Sequence, residues 1–231
     1  MLSSLKASAS AIIVAAGTSQ RMGFDKLMAK LAGKPVLEWS LAAYQDCVDI
    51  RDIVLVCKES RLSDFTKYKD QFSKVTQIVA GGKERSLSVR NGLGALASNP
   101  PALVAVHDAA RPLVTSALIS SVLQAAKTHR AASAAHPVSD SLHRVKESGS
   151  LVETMPRQNL FAMETPQVAF YGILAEALQA HYTGVTDEVS ALIHHGIFPA
   201  PVTHDRPNFK ITYPQDLALA DAFLSISRFS K

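Results

Sequence analysis

Residues 11–16 read Ala11-Ile12-Ile13-Val14-Ala15-Ala16, and the run stops at Gly17. No polar residue interrupts it, so the strand it predicts is buried on both faces. That is the condition of an inner strand in a parallel sheet, whereas a sheet wet on one side alternates. Comparable runs recur at 53–57, 75–80, 103–106 and 131–138. Helical periodicity fills the intervals. Pro35 opens one helix at a first-turn position, with Leu37, Leu41 and Tyr44 on one face. A second spans Ser116 to Lys127, its apolar stripe made of Leu118, Ile119, Val122, Leu123 and Ala126. Strands alternating with helices predict an α/β fold: a mostly parallel twisted sheet flanked by helices, with right-handed crossovers.

The alternation breaks at Ser139. From there to Gln158 the chain is polar, with Glu147-Ser148-Gly149-Ser150 at its middle and Leu142–Val145 and Leu151–Thr154 on either side. This predicts a hairpin with a glycine-containing turn. Too polar for a core, it is expected to project as an arm from a single domain covering residues 1–231. Regular structure should resume after Thr165-Pro166-Gln167, and a final helix after Pro214 aligns Leu217, Ala220 and Leu224.

Hydrophobic residues make up 47% of the 231, enough for a sizeable core. The net charge of +4 suits an anionic small ligand. Lys and Arg are scattered, without a basic run interleaved with aromatics, which argues against nucleic acid as partner. Cys47 and Cys57 are too few for a disulfide framework or a cysteine zinc site, and fit a reducing cytoplasm. No apolar run approaches the ~20 residues of a membrane span. The stretch from Met1 to Ser10 is short for a secretory signal and lacks the arginines of a transit peptide, so a cytoplasmic location is expected.

Chemistry gathers where strands end. Ala15-Ala16-Gly17-Thr18-Ser19-Gln20-Arg21-Met22, with Lys26 beyond, follows the first strand. Glycine there lets backbone N–H groups approach phosphate oxygens, and Arg21 and Lys26 add fixed charge; two solvated cations after a plain turn is the alternative. The loop matches neither GxxxxGK[ST] nor GxGxxG, and the absence of the latter removes support for a dehydrogenase. Gly81-Gly82-Lys83-Glu84-Arg85-Ser86-Leu87-Ser88-Val89 leads from the third strand into a helix and suits a base or phosphate, or else is an ordinary turn capped by Ser86. In Val106-His107-Asp108-Ala109-Ala110-Arg111-Pro112, Asp108 could hold a ribose hydroxyl or a Mg²⁺ shell and Arg111 a phosphate, against a plain surface ion pair. His107 reads as a hydrogen-bonded structural histidine. His194 and His195 point apart on a helix and make no metal site. Thr186-Asp187-Glu188 starts a helix with Thr186 as cap, and Asn208-Phe209-Lys210-Ile211-Thr212 is expected as a short strand presenting Lys210.

Taken together and in order, AAGTSQRM with Lys26, GGKERSLSV, VHDAARP, PVSDSL, TPQ, TDE and NFKIT resemble the 2-C-methyl-D-erythritol 4-phosphate cytidylyltransferase family of the non-mevalonate isoprenoid pathway, from Ala11 to about Ala222. The resemblance implies a Rossmann-like nucleotidyltransferase fold and transfer of CMP from CTP to a polyol phosphate. It also implies Mg²⁺ or another divalent cation, held mainly through the CTP phosphates with Asp108 nearby, and a homodimer joined by the arm at about 139–158. The family's catalytic cations fall on Arg21, Lys26 and Lys210. Its CTP contacts fall on Ala15, Ala16, Gly17, Gly82, Ser88 and Asp108. Its acceptor contacts fall on Arg111, Ser141, Arg157, Thr186 and Lys210. Four positions depart from the usual pattern: Ser19 replaces a second glycine, Lys83 an acidic residue, Ser141 a threonine and Glu164 a glutamine. A ribitol 5-phosphate cytidylyltransferase shares the fold and most nucleotide motifs, so the acceptor stays open between the two. Another nucleotidyltransferase, or a non-catalytic nucleotide-binding regulatory domain, are the further alternatives.

Overall fold

A computed structural model describes residues 9–17, 20–181 and 183–229. Thr18 and Ser19, with the departure from the usual pattern at Ser19, lie outside the described residues, as does the stretch from Met1 to Ser8.

Strand β1 (Ala9–Ala15) is followed by a small hairpin, β2 (Lys30–Leu31) and β3 (Lys34–Pro35), then helix α1 (Val36–Asp46) and β4 (Ile50–Cys57). Short helices α2 (Leu62–Phe65) and α3 (Lys67–Gln71) lead to β5 (Val75–Ala80), α4 (Arg85–Leu96), β6 (Leu103–Asp108), α5 (Ser116–His129) and β7 (Ala131–Pro137). Strands β8 (Leu142–Val145) and β9 (Leu151–Met155) form a separate two-stranded sheet. Last come β10 (Phe161–Phe170), α6 (Tyr171–Ala180), α7 (Glu188–His194), β11 (Ala200–Thr203) and α8 (Pro214–Phe229).

The main sheet has the order β11-β7-β10-β6-β1-β4-β5, and within it only β10 runs against its neighbours. The continuous apolar run of β1 is explained by its two faces. Ile13 packs into the cluster containing Leu37, Leu41, Ile119 and Val122, while Ile12 packs on the other side with Val54, Val89 and Leu93. Both are fully buried, and each such side chain stabilises the fold by roughly 1.5–3 kcal/mol. The expected helical faces are inside: Leu37, Leu41 and Tyr44 on α1, and Leu118, Ile119, Val122, Leu123 and Ala126 on α5. Pro35 stands at the N-cap of α1, one residue earlier than its composition suggested.

The chain turns back at β1. Strand β4 lies on one side of it and β6 on the other, so the carboxyl ends of β1 and β6 border a crevice at the point where strand order reverses, the usual ligand site of such sheets. Val14 is in register with Asp108, and Ala109 N donates to Val14 O at 3.0 Å, which closes the floor of that crevice.

Three local expectations are corrected. Thr186 does not cap α7. Asp187 does, its carboxylate accepting from Ser190 N at 2.9 Å, because the residue next to the helix can reach the free amide and the one before it cannot. Ser86 lies inside the first turn of α4, while Glu84 holds the cap position without a side-chain bond. Residues 208–212 are not a strand but an irregular segment, tied to the loop after β6 by Ile211 N to Ala110 O at 2.8 Å.

Candidate active site

The crevice opens into a cavity of about 480 Å³. The loop after β1 contributes Ala15, Ala16, Gly17, Arg21 and Lys26; the loop after β5 and the start of α4 contribute Gly82, Lys83, Glu84, Arg85 and Ser88; Asp108 and Lys210 close it. Lys26, Lys83, Arg21, Arg85 and Lys210 against Glu84 and Asp108 leave a positive excess, the balance an anionic ligand requires.

The turn at Gly81-Gly82 is crowded. A Cβ at Gly81 would stand 2.5 Å from Ala16 Cβ, and one at Gly82 2.4 Å from Leu87 Cβ. Ser88 Oγ accepts from Gly82 N and donates to Glu84 O, both at 3.1 Å, so the hydroxyl fixes the shape of this turn. The paired glycines are what let the two loops meet.

Asp108 is the electrostatic centre. Its Oδ1 accepts from Arg85 Nε at 2.8 Å and its Oδ2 from Lys210 Nζ at 2.7 Å. Burial alone would push this carboxyl up, but Arg85 and Lys210 overcome it and hold the group well below the usual carboxylate range. Lys26 donates to Ile211 O at 2.8 Å; burial draws its ammonium below the ordinary lysine value, with Lys210 and Arg21 adding to the effect and Asp108 opposing it. These cations crowd one another. A polyanion relieves the crowding.

Not every expected residue lies here. The cavity gathers Arg21, Lys26, Lys210, Ala15, Ala16, Gly17, Gly82, Ser88 and Asp108. Arg111 is outside its lining, donating to Asn208 O at 2.8 Å and standing 4.0 Å from Glu164. Ser141 and Arg157 are exposed at the hairpin, where Arg157 donates to Ser139 O. Thr186 is exposed before α7, its Oγ1 3.4 Å from Ser190 Oγ.

Two participants gave no sign of a role in the sequence. Arg85 stands at the cavity wall and binds Glu188 through both terminal nitrogens, at 2.7 and 3.0 Å. They are 103 positions apart, so no local spacing could pair them. Glu164 is buried; its carboxylate meets His136 Nδ1, His204 Nε2 and Asn208 Nδ2 at 3.0, 2.9 and 2.6 Å. Asn208 also donates to Thr165 O at 2.9 Å, so Glu164 helps hold the segment that carries Lys210.

Known proteins share this fold and much of this sequence. A family model described as 2-C-methyl-D-erythritol 4-phosphate cytidylyltransferase matches residues 9–226. A protein of that description from Halalkalibacterium halodurans is 39% identical over 224 residues, covering 94% of this chain and 96% of its own. One from Cereibacter sphaeroides is 38% identical over 219 residues, covering 94% and 97%. The crystal structure of the Francisella tularensis 2-C-methyl-D-erythritol 4-phosphate cytidylyltransferase superposes with a TM-score of 0.81 at 29% identity, covering 94% of this chain and 99% of that one. A 4-diphosphocytidyl-2C-methyl-D-erythritol synthase from Anaerococcus prevotii, at 24% identity and a TM-score of 0.83, shares the fold. With the match running from β1 into α8, the chain belongs to the 2-C-methyl-D-erythritol 4-phosphate cytidylyltransferase family.

Proposed function

We propose that the protein transfers CMP from CTP to 2-C-methyl-D-erythritol 4-phosphate, giving 4-diphosphocytidyl-2-C-methyl-D-erythritol and pyrophosphate. The observation that carries this is the single cavity at the β1–β6 crevice, in which Arg21, Lys26 and Lys210 surround the space beside Asp108. An oxygen of the acceptor phosphate attacks the α-phosphorus of CTP in line. The bond from that phosphorus to the bridging oxygen breaks, and pyrophosphate leaves with the electron pair. A phosphomonoester has its second pKa near ~6 and is already largely dianionic at neutral pH, so the nucleophile needs no general base. What remains is to bring two polyanions together and stabilise charge on a five-coordinate phosphorus. Arg21 and Lys26 face the triphosphate. Lys210 leaves Asp108 for the α-phosphate. Ala15, Ala16, Gly17, Gly82 and Ser88 surround the nucleoside, and Asp108 takes the ribose side.

Mg²⁺ or a similar cation arrives with the triphosphate in this reading. Among the described residues no group of three His, Cys, Asp or Glu forms a cage of its own, and the carboxylates lining the cavity are those of Glu84 and Asp108, a donor set that fits a metal carried mainly by phosphates and water. Such an ion would supply charge neutralisation on the phosphates, with Asp108 the carboxylate nearby.

The acceptor is read by Arg111, Ser141, Arg157, Thr186 and Lys210, the first four lying outside the cavity lining of one chain. We infer a homodimer in which the hairpin of one subunit completes the site of the next. Pyrophosphate release measured with CTP and 2-C-methyl-D-erythritol 4-phosphate, in competition with ribitol 5-phosphate, tests the assignment. Faster turnover of ribitol 5-phosphate would overturn it.

A further inference from the structure

Arg85 has no task in the chemistry above, yet three of its nitrogens donate to carboxylates beside the cavity. Nε donates to Asp108 Oδ1 at 2.8 Å, and the two terminal nitrogens donate to Glu188 Oε1 and Oε2 at 2.7 and 3.0 Å. The second oxygen of Asp108 accepts from Lys210 at 2.7 Å. Lys210, Asp108, Arg85 and Glu188 therefore form a line of alternating charge, from the cavity wall to the first residue of α7. Only the planar fork of a guanidinium can bind one carboxylate with two nitrogens and another with a third; a lysine there would be a point charge serving one at a time.

The far end of this line is deeply placed. The Glu188 side chain is 2% exposed. Burial pushes its carboxyl up and Arg85 opposes that; the paired contacts need both oxygens as acceptors, which a carboxylate provides and its acid does not. Buried ion pairs seldom stabilise a fold more than apolar side chains of the same volume would. What such a pair supplies is direction. Glu188 follows the cap Asp187 and lies two residues from Thr186, so its tie sets where the start of α7 stands relative to the nucleotide loops. Gln167 provides the other tie, donating to Asp187 Oδ2 at 2.9 Å and accepting from Val189 N at 3.0 Å.

We propose that Arg85 is a positioning residue that couples the two halves of the site: it steadies Asp108 when Lys210 turns to the α-phosphate, and through Glu188 it fixes the end of α7 that faces the acceptor. When Lys210 departs, Arg85 remains as a partner for Asp108, so nucleotide binding does not strand a buried carboxylate. When Glu188 loses its charge, the start of α7 loses one of its two ties while the nucleotide loops keep theirs. The defect then falls on the acceptor.

This inference rests on the function proposed above, and the full-length protein tests the two separately. Wild-type turnover of CTP with 2-C-methyl-D-erythritol 4-phosphate is measured first; its absence would overturn the function and, with it, the coupling. Given turnover, Glu188→Gln should raise the acceptor KM about fivefold or more and cut kcat/KM for the acceptor at least ~10-fold, with the Kd for CTP by calorimetry changed less than ~2-fold. Arg85→Lys, which keeps the charge and loses the fork, should show the same acceptor defect and also weaken CTP. A melting curve accompanies each variant. Glu188→Gln with an unchanged acceptor KM overturns the coupling. So does a fall in kcat that merely tracks lost folded protein with both substrate constants intact, and should that variant not fold, an Arg85→Lys protein with a normal acceptor KM does the same.

Discussion

Lys26 shows how the fold prepares a single cation for the role proposed for it. It is half-buried, burial and two neighbouring cations draw its ammonium down, and a carbonyl oxygen holds its Nζ in place. An ammonium so placed interacts best with charge that develops on the phosphorus, and Lys26→Ala should lower turnover by ~10²–10³-fold. The melting temperature should hold, since no buried partner is left charged and alone; steady-state rates with a melting curve check both. His107 is the opposite case, buried and kept out of the chemistry. Its Nε2 faces Arg111 O at 3.3 Å and so donates, leaving Nδ1 to accept from Thr165 Oγ1 at 2.9 Å, an arrangement for a neutral ring. Burial lowers its pKa from 6.5 to about 3. The unfolded chain takes up a proton as pH falls below 6.5 and the native ring does not, so this stability is complete above 6.5 and lost on the way down to about 3. Melting temperature should fall steadily across that window, more steeply than for a His107→Gln variant; equal slopes would contradict the neutral ring. From sequence, His107 was legible as structural because its neighbours already mark a strand end. Arg85 and Glu188 were not, since in a linear chain a charge carries no label for a partner 103 positions away.

Among the elements, the loops after β1 and β5 are set against each other by contact, and contact can be perturbed. At Gly81 an added methyl would meet Ala16 Cβ at 2.5 Å and Ser88 Oγ at 2.8 Å. Something must move, and Ala16 is on the loop proposed to approach the nucleotide. Gly81→Ala should lower kcat/KM for CTP about 10- to 10²-fold, since a shift of ~1 Å in a positioned group has effects of that size. A normal value would show the loop free to relax. The strands were legible where burial alone decides. Continuous apolar runs located β1, β4, β5, β6 and β7 to within a few residues, and the arm appeared as β8 and β9 because a polar, glycine-containing turn lies between two short segments. Strand β10 escaped. It lies between β7 and β6, yet contains Glu164-Thr165-Pro166, and a proline in an inner strand argues against a strand altogether. The pairing to β7 skips from Met163 to Gln167, so Pro166 sits in a bulge where no ladder amide is missed, and the polar side chains it interrupts turn to His107, His136 and Asp187. Polarity that looked like a loop belongs to hydrogen bonds made inside.

At the scale of the whole molecule the open question is what β8 and β9 lean on. The hairpin leaves the main sheet between β7 and β10, which stay paired down to Pro137 and Phe161 at its base. Beyond that base it forms its own two-stranded sheet, held by Arg144 to Glu153 at 2.8 Å and a turn closed by Lys146 N to Ser150 O at 3.0 Å. Two strands alone are at best marginally stable in water. Val145, Leu151 and Val152 are nonetheless exposed, at 53%, 68% and 43%, on a structure with no core beneath it. Ser141 and Arg157 sit at the same hairpin, away from the cavity of their own chain. Apolar side chains without a core and polar groups without a site are both satisfied if a second copy supplies the surface. Replacing residues 142–154 by a short turn should therefore convert the protein to a monomer by light scattering. It should also remove acceptor turnover while CTP binding by calorimetry survives, because the residues proposed to hold the nucleotide line a cavity within one chain. Arg157→Ala in the intact arm should weaken the acceptor and spare CTP, since the arginine lies outside the nucleotide loops. A shortened protein that is monomeric and fully active would dispose of the shared site while leaving the chemistry at Asp108, Lys26 and Lys210 untouched.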